Sequence, residues 1–355
     1  MALIYGFHRL ADIAARRAMD VDVAVINTAI SEANGNYNEM LDSLISLLVQ
    51  KTTEYKTKYR GATGGRLQPL DENGRARPRK AISEYEVALP IWNAGDAWGA
   101  NYLTNAKLTV QDVNDTLDQM QMRDRQWLID QILSALFADD NFTFVDDDHG
   151  DLTVKPLANG DADLYLPSGG TALATANHLH AQANAIGDGA DNPFPTIRGM
   201  LRGFRDTAGQ LVALSSTSLR ASIEGLATFR ERSDPNLSVA PDTQSLIANL
   251  AAMLPPNAEL FGYADGVFQV EWPNIPSGFG FATSTGGERP IAMREDEVES
   301  LRGFREIGMR EDIPWFEHQY HRRAGFGAWN RVGAVAYKIG AGTYDPPTGY
   351  APPLP

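Results

Sequence analysis

Cysteine is absent from the 355 residues, which removes disulfides and thiolate metal sites and fits synthesis in a reducing cytoplasm. No stretch approaches the roughly eighteen uninterrupted apolar residues of a membrane span, so no membrane partner is expected. The opening MALIYGFHRLADIAARR lacks a basic region ahead of an apolar core, and no secretion signal is read from it. Basic charge is scarce: 31 Lys and Arg face 45 Asp and Glu, a net charge of −14. That balance argues against a surface gripping phosphate backbones through many cations, though not against a protein that lies near nucleic acid.

Catalytic signatures are lacking as well. There is no Gly-rich phosphate loop ending in Gly-Lys-Ser/Thr, no GxGxxG after a strand, no GxSxG elbow and no HExxH. The clusters GATGG (61–65) and GFG (325–327) lack the strand-to-helix context of a phosphate cradle. His178 and His180 fall on different faces if that stretch is helical, whereas His318 and His321 would share one; polar packing is the stronger reading than zinc for both pairs. Asp146, Asp148 and Asp151 lack the closing Glu of a calcium loop and read as a turn. In so acidic a chain no carboxylate pair stands out for acid–base work. Arg322, Arg323 and Arg331 flank GFGAWN and read as subunit contacts or structural pairs before anion ligands. Nothing marks an enzyme; no catalytic residue, metal or cofactor is expected.

What is present is extended. From Thr109 to Asp139 runs a helix pattern with Thr109 as N-cap, acids in the first turn, and Val110, Val113, Leu117, Met120, then Trp127, Ile132 and Leu136 on an apolar stripe. At roughly 1.5 Å per residue it is a rod of about 45 Å, with Asp118, Arg123, Asp124, Arg125 and Asp130 expected on its other, solvent side. Residues 8–33 and 37–49 read as two helices separated at Asn34-Gly35-Asn36. Residues 50–92 read as a long hairpin around a Gly- and Arg-rich connection, with Asp71-Glu72-Asn73-Gly74 as turn chemistry. Such a hairpin is marginal alone and needs docking. Trp92, Trp98 and Tyr102 are expected packing anchors on the way into the long helix.

Beyond the helix, NFTFV-DDDHGD-LTVKPL predicts a second hairpin. Helices are expected at 171–186, 194–206, 218–229 and 243–253, a buried run at 211–216, β structure over 260–293, irregular or helical chain over 297–309, a last β-prone run in RVGAVAYKIGAGTY, and an extended Pro-rich tail. Helices and strands are mixed without alternation, an α+β pattern.

Charge is uneven. Residues 51–80 carry nine Lys or Arg and three acids, whereas 139–163 carry eight Asp and one Lys. Opposed patches of this kind suit contact between copies of one chain.

Four stretches carry a resemblance: EVALPIWNAGDAWG (86–99), GYADGVFQVEWPNIPSGFGFA (262–282), RPIAMREDEVESLRGF (289–304) and HRRAGFGAWNRVGAVAYKIGAGTY (321–344). With the order of elements, they resemble the major capsid protein of tailed bacteriophages, of Hong Kong 97-type fold. The resemblance implies an N-terminal arm (1–50), an E-loop hairpin and return (51–107), a P-domain with the spine helix and a hairpin (108–165) joined by returning C-terminal strands (311–355), and an A-domain (166–310). It implies a protein made in a bacterial host that assembles into pentamers and hexamers of an icosahedral virion capsid. The shell would surround double-stranded DNA held non-specifically, with a portal protein as partner and scaffolding or decoration proteins as further candidates. No scaffold-like leader precedes the arm. The assembly-interface candidates are Lys56, Lys58, Arg60, Arg66, Arg75, Arg77, Arg79, Lys80, Arg322 and Arg323. The alternatives are an encapsulin-like nanocompartment shell and, further off, a metal-dependent enzyme.

Overall fold

A computed structural model of the protein describes residues 17, 20, 23–60, 67, 69–76, 84–160, 163–165, 167–168, 174–175, 178–204, 208–232, 250, 253–312, 315–352 and 354. Within them the chain forms two compact units. The first gathers the described residues of 1–42, 92–128 and 295–324; the second gathers those of 43–91, 129–294 and 325–355. The elements are mixed helix and strand, as the pattern predicted.

In the first unit the central strand Trp315–Ala328 pairs antiparallel with Arg305–Asp312 on one edge and with Trp92–Asn101 on the other. The segment 297–309, expected to be irregular or helical, is irregular with a short 3-10 turn at Glu299–Leu301 up to residue 304 and becomes a strand from Arg305. The stretch 94–107, expected as a lead-in to the long helix, supplies most of another, Trp92–Asn101, and a short helix Tyr102–Asn105; the Trp98 ring stacks on His318 at 4.7 Å. His318 and His321 lie on this strand and not on a helix, so their odd spacing sends them to opposite faces. Helix Val23–Ile45 is continuous through Asn34-Gly35-Asn36, where a break was expected. Tertiary packing overrides the local signal: Ile30, Tyr37 and Leu41 are buried on one stripe, and buried Asn34 accepts a hydrogen bond from Gln121 Nε2 at 3.1 Å.

The long helix spans Val110–Phe137. Thr109 Oγ1 accepts from the Asp112 amide at 3.2 Å, and Asp112 Oδ2 accepts from the Thr109 amide at 2.9 Å, a reciprocal cap. Donation from the Thr109 amide, and from its hydroxyl at 2.8 Å, holds the Asp112 carboxyl below its ordinary value. Asp124 departs from expectation, being buried and not on the solvent side.

The second unit is built on a seven-stranded mixed sheet. Its order is Arg230–Glu231, Glu259–Ala264, Val267–Glu271, Ala208–Ser215, Phe279–Gly286, Ala334–Ile339, Leu179–Gln182. The expected buried run 211–216 is its central strand, pairing parallel with Val267–Glu271 and antiparallel with Phe279–Gly286. Helices Phe194–Arg202 and Thr217–Glu224 pack on it through Phe194, Ile197, Leu201, Leu219 and Ile223. The helix expected at 171–186 is not formed: 174–175 and 179–182 are strands. The C-terminal β-prone run forms the strand Ala334–Ile339, which pairs antiparallel with Phe279–Gly286 and parallel with Leu179–Gln182. Most of the helix expected at 243–253 lies outside the described residues.

The hairpin Phe142–Asp146/Gly150–Val154 forms as predicted, with Gly150 at φ +74° closing its turn. Strands Lys56–Arg60 and Glu84–Ala88 pair antiparallel and form the base of the long hairpin.

Candidate assembly interface

The long hairpin's described tip, 67 and 69–76, is exposed throughout. Its register sets Lys58 across from Glu86 and Arg60 across from Glu84, so two of the basic candidates have an acid opposite on their own strand pair. Farther out, Asp71 organises a tight turn. Its Oδ1 accepts from the amides of Asn73 (2.9 Å) and Arg75 (2.7 Å), its carbonyl accepts from Gly74 N (2.9 Å), and its own amide donates to Arg75 O (3.0 Å). Gly74 takes φ +71°, where glycine carries no steric cost. Beside this turn Leu67 is 102% and Leu70 63% exposed, and Arg75 is exposed. An ordered turn that displays two leucines and a cation in solvent is unfinished as a surface. Charge alone drew attention to this tip; the leucines were the missed signal. Arg66, Arg77, Arg79 and Lys80 lie outside the described residues, as does GATGG. Lys56 is half-buried at the hairpin base.

The returning end of the hairpin is clamped. Ala88, Leu89 and Ile91 are buried, and Leu89 packs with Val87, Tyr165, Ala292 and Val332. The GFG cluster explains itself here: a Cβ on Gly325 would lie 2.0 Å from Pro90 O, and one on Gly327 2.6 Å from Leu89 Cδ2. These glycines serve close backbone approach and cradle no phosphate.

Two of the arginines around that cluster, Arg322 and Arg331, are structural. Arg322 is 3% and Asp124 4% exposed, and the pair is bidentate: Nε to Oδ1 at 2.5 Å, Nη2 to Oδ2 at 2.7 Å. Tyr37 OH donates to Asp124 Oδ2 at 2.8 Å, and Arg322 Nη2 reaches Asn38 Oδ1 at 3.1 Å. Burial first, then the Asp124 charge, pushes the Tyr37 phenol far above its ordinary value. Arg322 is thus a structural pairing and leaves the set of interface candidates. Arg323 bonds Asp296 at 3.0 Å and keeps part of its surface. Arg331, fully buried, donates to Asp163 Oδ2 (3.1 Å) and Asn159 O (2.7 Å).

Asp146, weighed for calcium, is instead a joint. Its Oδ2 accepts from Arg294 Nη1 at 2.6 Å, and its Oδ1 meets His149 Nδ1 at 3.1 Å and the amides of Asp148 (3.0 Å) and His149 (3.1 Å). Burial pulls its pKa upward, but the Arg294, His149 and amide hydrogen bonds outweigh it and hold the carboxyl at about 2. His178 is buried with its ring edge-on to Tyr165, and burial pushes the His180 imidazole below its ordinary value. Among the described residues no three His, Asp or Glu side chains converge as a metal site requires.

A cleft of about 580 Å³ lies in the first unit between helix residues Ile30, Asn34 and Asn38 and the strand residues Phe304, Glu306 and Ile307. Ile307 sits at a register shift between Glu306 and Gly308 and is half exposed at its mouth.

No protein-family model and no curated protein matches the sequence. Among solved structures, a chain of Mycobacterium phage Patience matches with a TM-score of 0.67 at 17% identity, covering 99% of this chain and 98% of that one. The capsid of an empty GTA particle matches with a TM-score of 0.50 at 10% identity, covering 85% of this chain and 90% of that one. The native GTA capsid gives the same TM-score. At such identities the likeness is one of fold: the chain has the α+β, Hong Kong 97-like capsid fold that its sequence resembles.

Proposed function

We propose that this chain is the major capsid protein of a tailed bacteriophage, assembling through pentamers and hexamers into an icosahedral shell around double-stranded DNA. The observation that carries the reading is end-to-end agreement of fold with the Patience chain, 99% and 98% of the two lengths. The displayed tip, with Leu67 and Leu70 in solvent beside Arg75, supports it: such a surface is completed by a neighbour. Lys56, Arg75 and Arg323, with the candidates Lys58, Arg60, Arg66, Arg77, Arg79 and Lys80, meet acidic surface on an adjacent copy. A net charge of −14 suits an inner wall that repels packaged DNA and lets it slide during filling. A portal protein and accessory proteins complete the particle, in the virion and, during assembly, in the host cytoplasm. Electron microscopy of the purified protein is the test. Closed polyhedral particles are the expected result; a monodisperse monomer at high concentration overturns the proposal.

A further inference from the structure

The two ends of the long hairpin are held unequally. Its returning strand runs into buried Ala88–Ile91, clamped by Gly325 against Pro90 and Gly327 against Leu89. Its outgoing strand follows Val49–Thr52, which pairs parallel with Ile291–Arg294, but between them Thr53 and Glu54 are exposed and Tyr55 lies in a bend. Three residues therefore form a soft link just where the excursion leaves the body. Glu54 is tied locally, its amide donating to Thr52 Oγ1 at 3.1 Å, whereas Tyr55 is tied to other segments, and twice. Its carbonyl accepts from Leu89 N at 2.9 Å, and its ring stacks on His149, centroids 3.7 Å apart and planes 19° apart.

His149 is itself held from behind. Its Nδ1 meets Asp146 Oδ1, whose other oxygen takes Arg294 Nη1, and that same nitrogen donates to Leu89 O at 3.0 Å. The contacts close a ring: Leu89, Tyr55, His149, Asp146, Arg294 and back to Leu89. Three separate segments meet in it, the hairpin base, the turn after Asp146 and the strand Ile291–Glu295. Its covalently remote joints are a buried charge-assisted pair, backbone hydrogen bonds and one aromatic stack. The stack is the weakest and, like the His149–Asp146 bond, partly open to solvent, because the His149 side chain keeps 29% of its surface.

We infer that the Tyr55–His149 stack is the hinge pin that aims the assembly hairpin, with the Asp146–Arg294 pair as its fixed backing. Opening the stack leaves Tyr55 held by the Leu89 amide and loosens residues 53–55, so the strand pair Lys56–Arg60/Glu84–Ala88 is then braced firmly from its return side alone. The direction in which the Leu67–Leu70 tip meets a neighbour then depends on whether this base is braced on both sides. The inference concerns a positioning device and rests on the shell reading only for its consequence in particles.

Hydrogen exchange of the unassembled full-length chain tests the hinge without needing a shell. Tyr55→Ala and His149→Ala should each speed exchange across 53–60 by roughly 2- to 10-fold, the range of one aromatic pair. The double variant should exchange no faster than either single, since both remove the same contact. His149→Phe, which keeps a ring but loses the Asp146 bond, should stay near wild type. Wild-type rates in both alanine variants, or rates that multiply in the double, overturn the hinge. In micrographs His149→Ala should give open or irregular shells where His149→Phe gives closed ones. Normal shells from His149→Ala overturn the aiming role. A wild-type chain that forms no particles sinks the capsid reading instead, with the exchange result still standing.

Discussion

At the scale of single residues, two ion pairs set expectations with definite signs. Asp124 and Arg322 are both almost fully buried and share Tyr37 and Asn38 as further partners. Removing one member strands the other charge away from water, a cost of about 3–5 kcal/mol. Arg322→Met or Asp124→Asn should lower the urea midpoint accordingly, while Arg322→Met combined with Asp124→Leu should recover part of the loss. A midpoint unchanged in both singles would show that water reaches the pair. Asp146 makes a prediction about acid. Its carboxyl is held at about 2, below its unfolded value, so the folded state gains from it at neutral pH and loses that gain as pH falls from about 4 towards 2. The difference in melting temperature between wild type and Asp146→Asn should be constant at neutral pH and shrink through that window. A difference that stays flat down to pH 2 would show that the carboxylate gains nothing from its partners.

At the scale of elements, the reciprocal Thr109–Asp112 cap and the 142–154 hairpin were readable because each is fixed by residues within a few positions of one another. Long-range pairing was not readable. Helix 23–45 passes through Asn-Gly-Asn because residues of the long helix satisfy Asn34, and the 179–182 strand exists because it finds an edge at 336–339. His318 looked helical beside His321 until the partner strand placed Trp98 across from it. Asp124 was expected in solvent since its cation stands 198 positions away. Of the candidate interface, the basic hairpin was legible as charge, but the exposure of Leu67 and Leu70 needed coordinates. Two predictions belong here. Gly325→Ala should cripple folding, because its methyl would meet backbone that cannot yield, and soluble yield reads the effect directly. A Gly325→Ala chain with wild-type yield and melting temperature would mean the clamp is loose. Leu67→Ser with Leu70→Ser should leave the unfolding free energy of the unassembled chain within about 0.5 kcal/mol of wild type, as expected of surface positions. The same variant should impair particle formation, and intact yields of shells would remove the tip from the interface.

For the whole molecule, the uneven charge decides how assembly responds to its surroundings. A chain at −14 repels its own copies at long range, so association needs local patches of opposite sign. Nine cations between 51 and 80 supply one patch, and the exposed Asp140, Asp147, Asp148 and Asp151 supply the other kind. Two consequences of opposite sign compete as salt rises. Screening over a Debye length of about 10 Å at 0.1 M weakens the general repulsion, which favours shells, and also weakens the patch-to-patch attraction, which disfavours them. Close contacts are screened less than distant ones, so moderate salt should speed assembly of the wild type and only high salt should slow it. Reversing Lys56, Arg75 and three further cations of 51–80 to Glu removes the attraction and adds ten negative charges' worth of repulsion to −14, five residues each changing by two. That variant should stay monomeric and folded by circular dichroism at every salt concentration, and light scattering should show no growth. Shells forming from it at ordinary rates would mean that apolar burial at the tip, and not charge, brings the copies together.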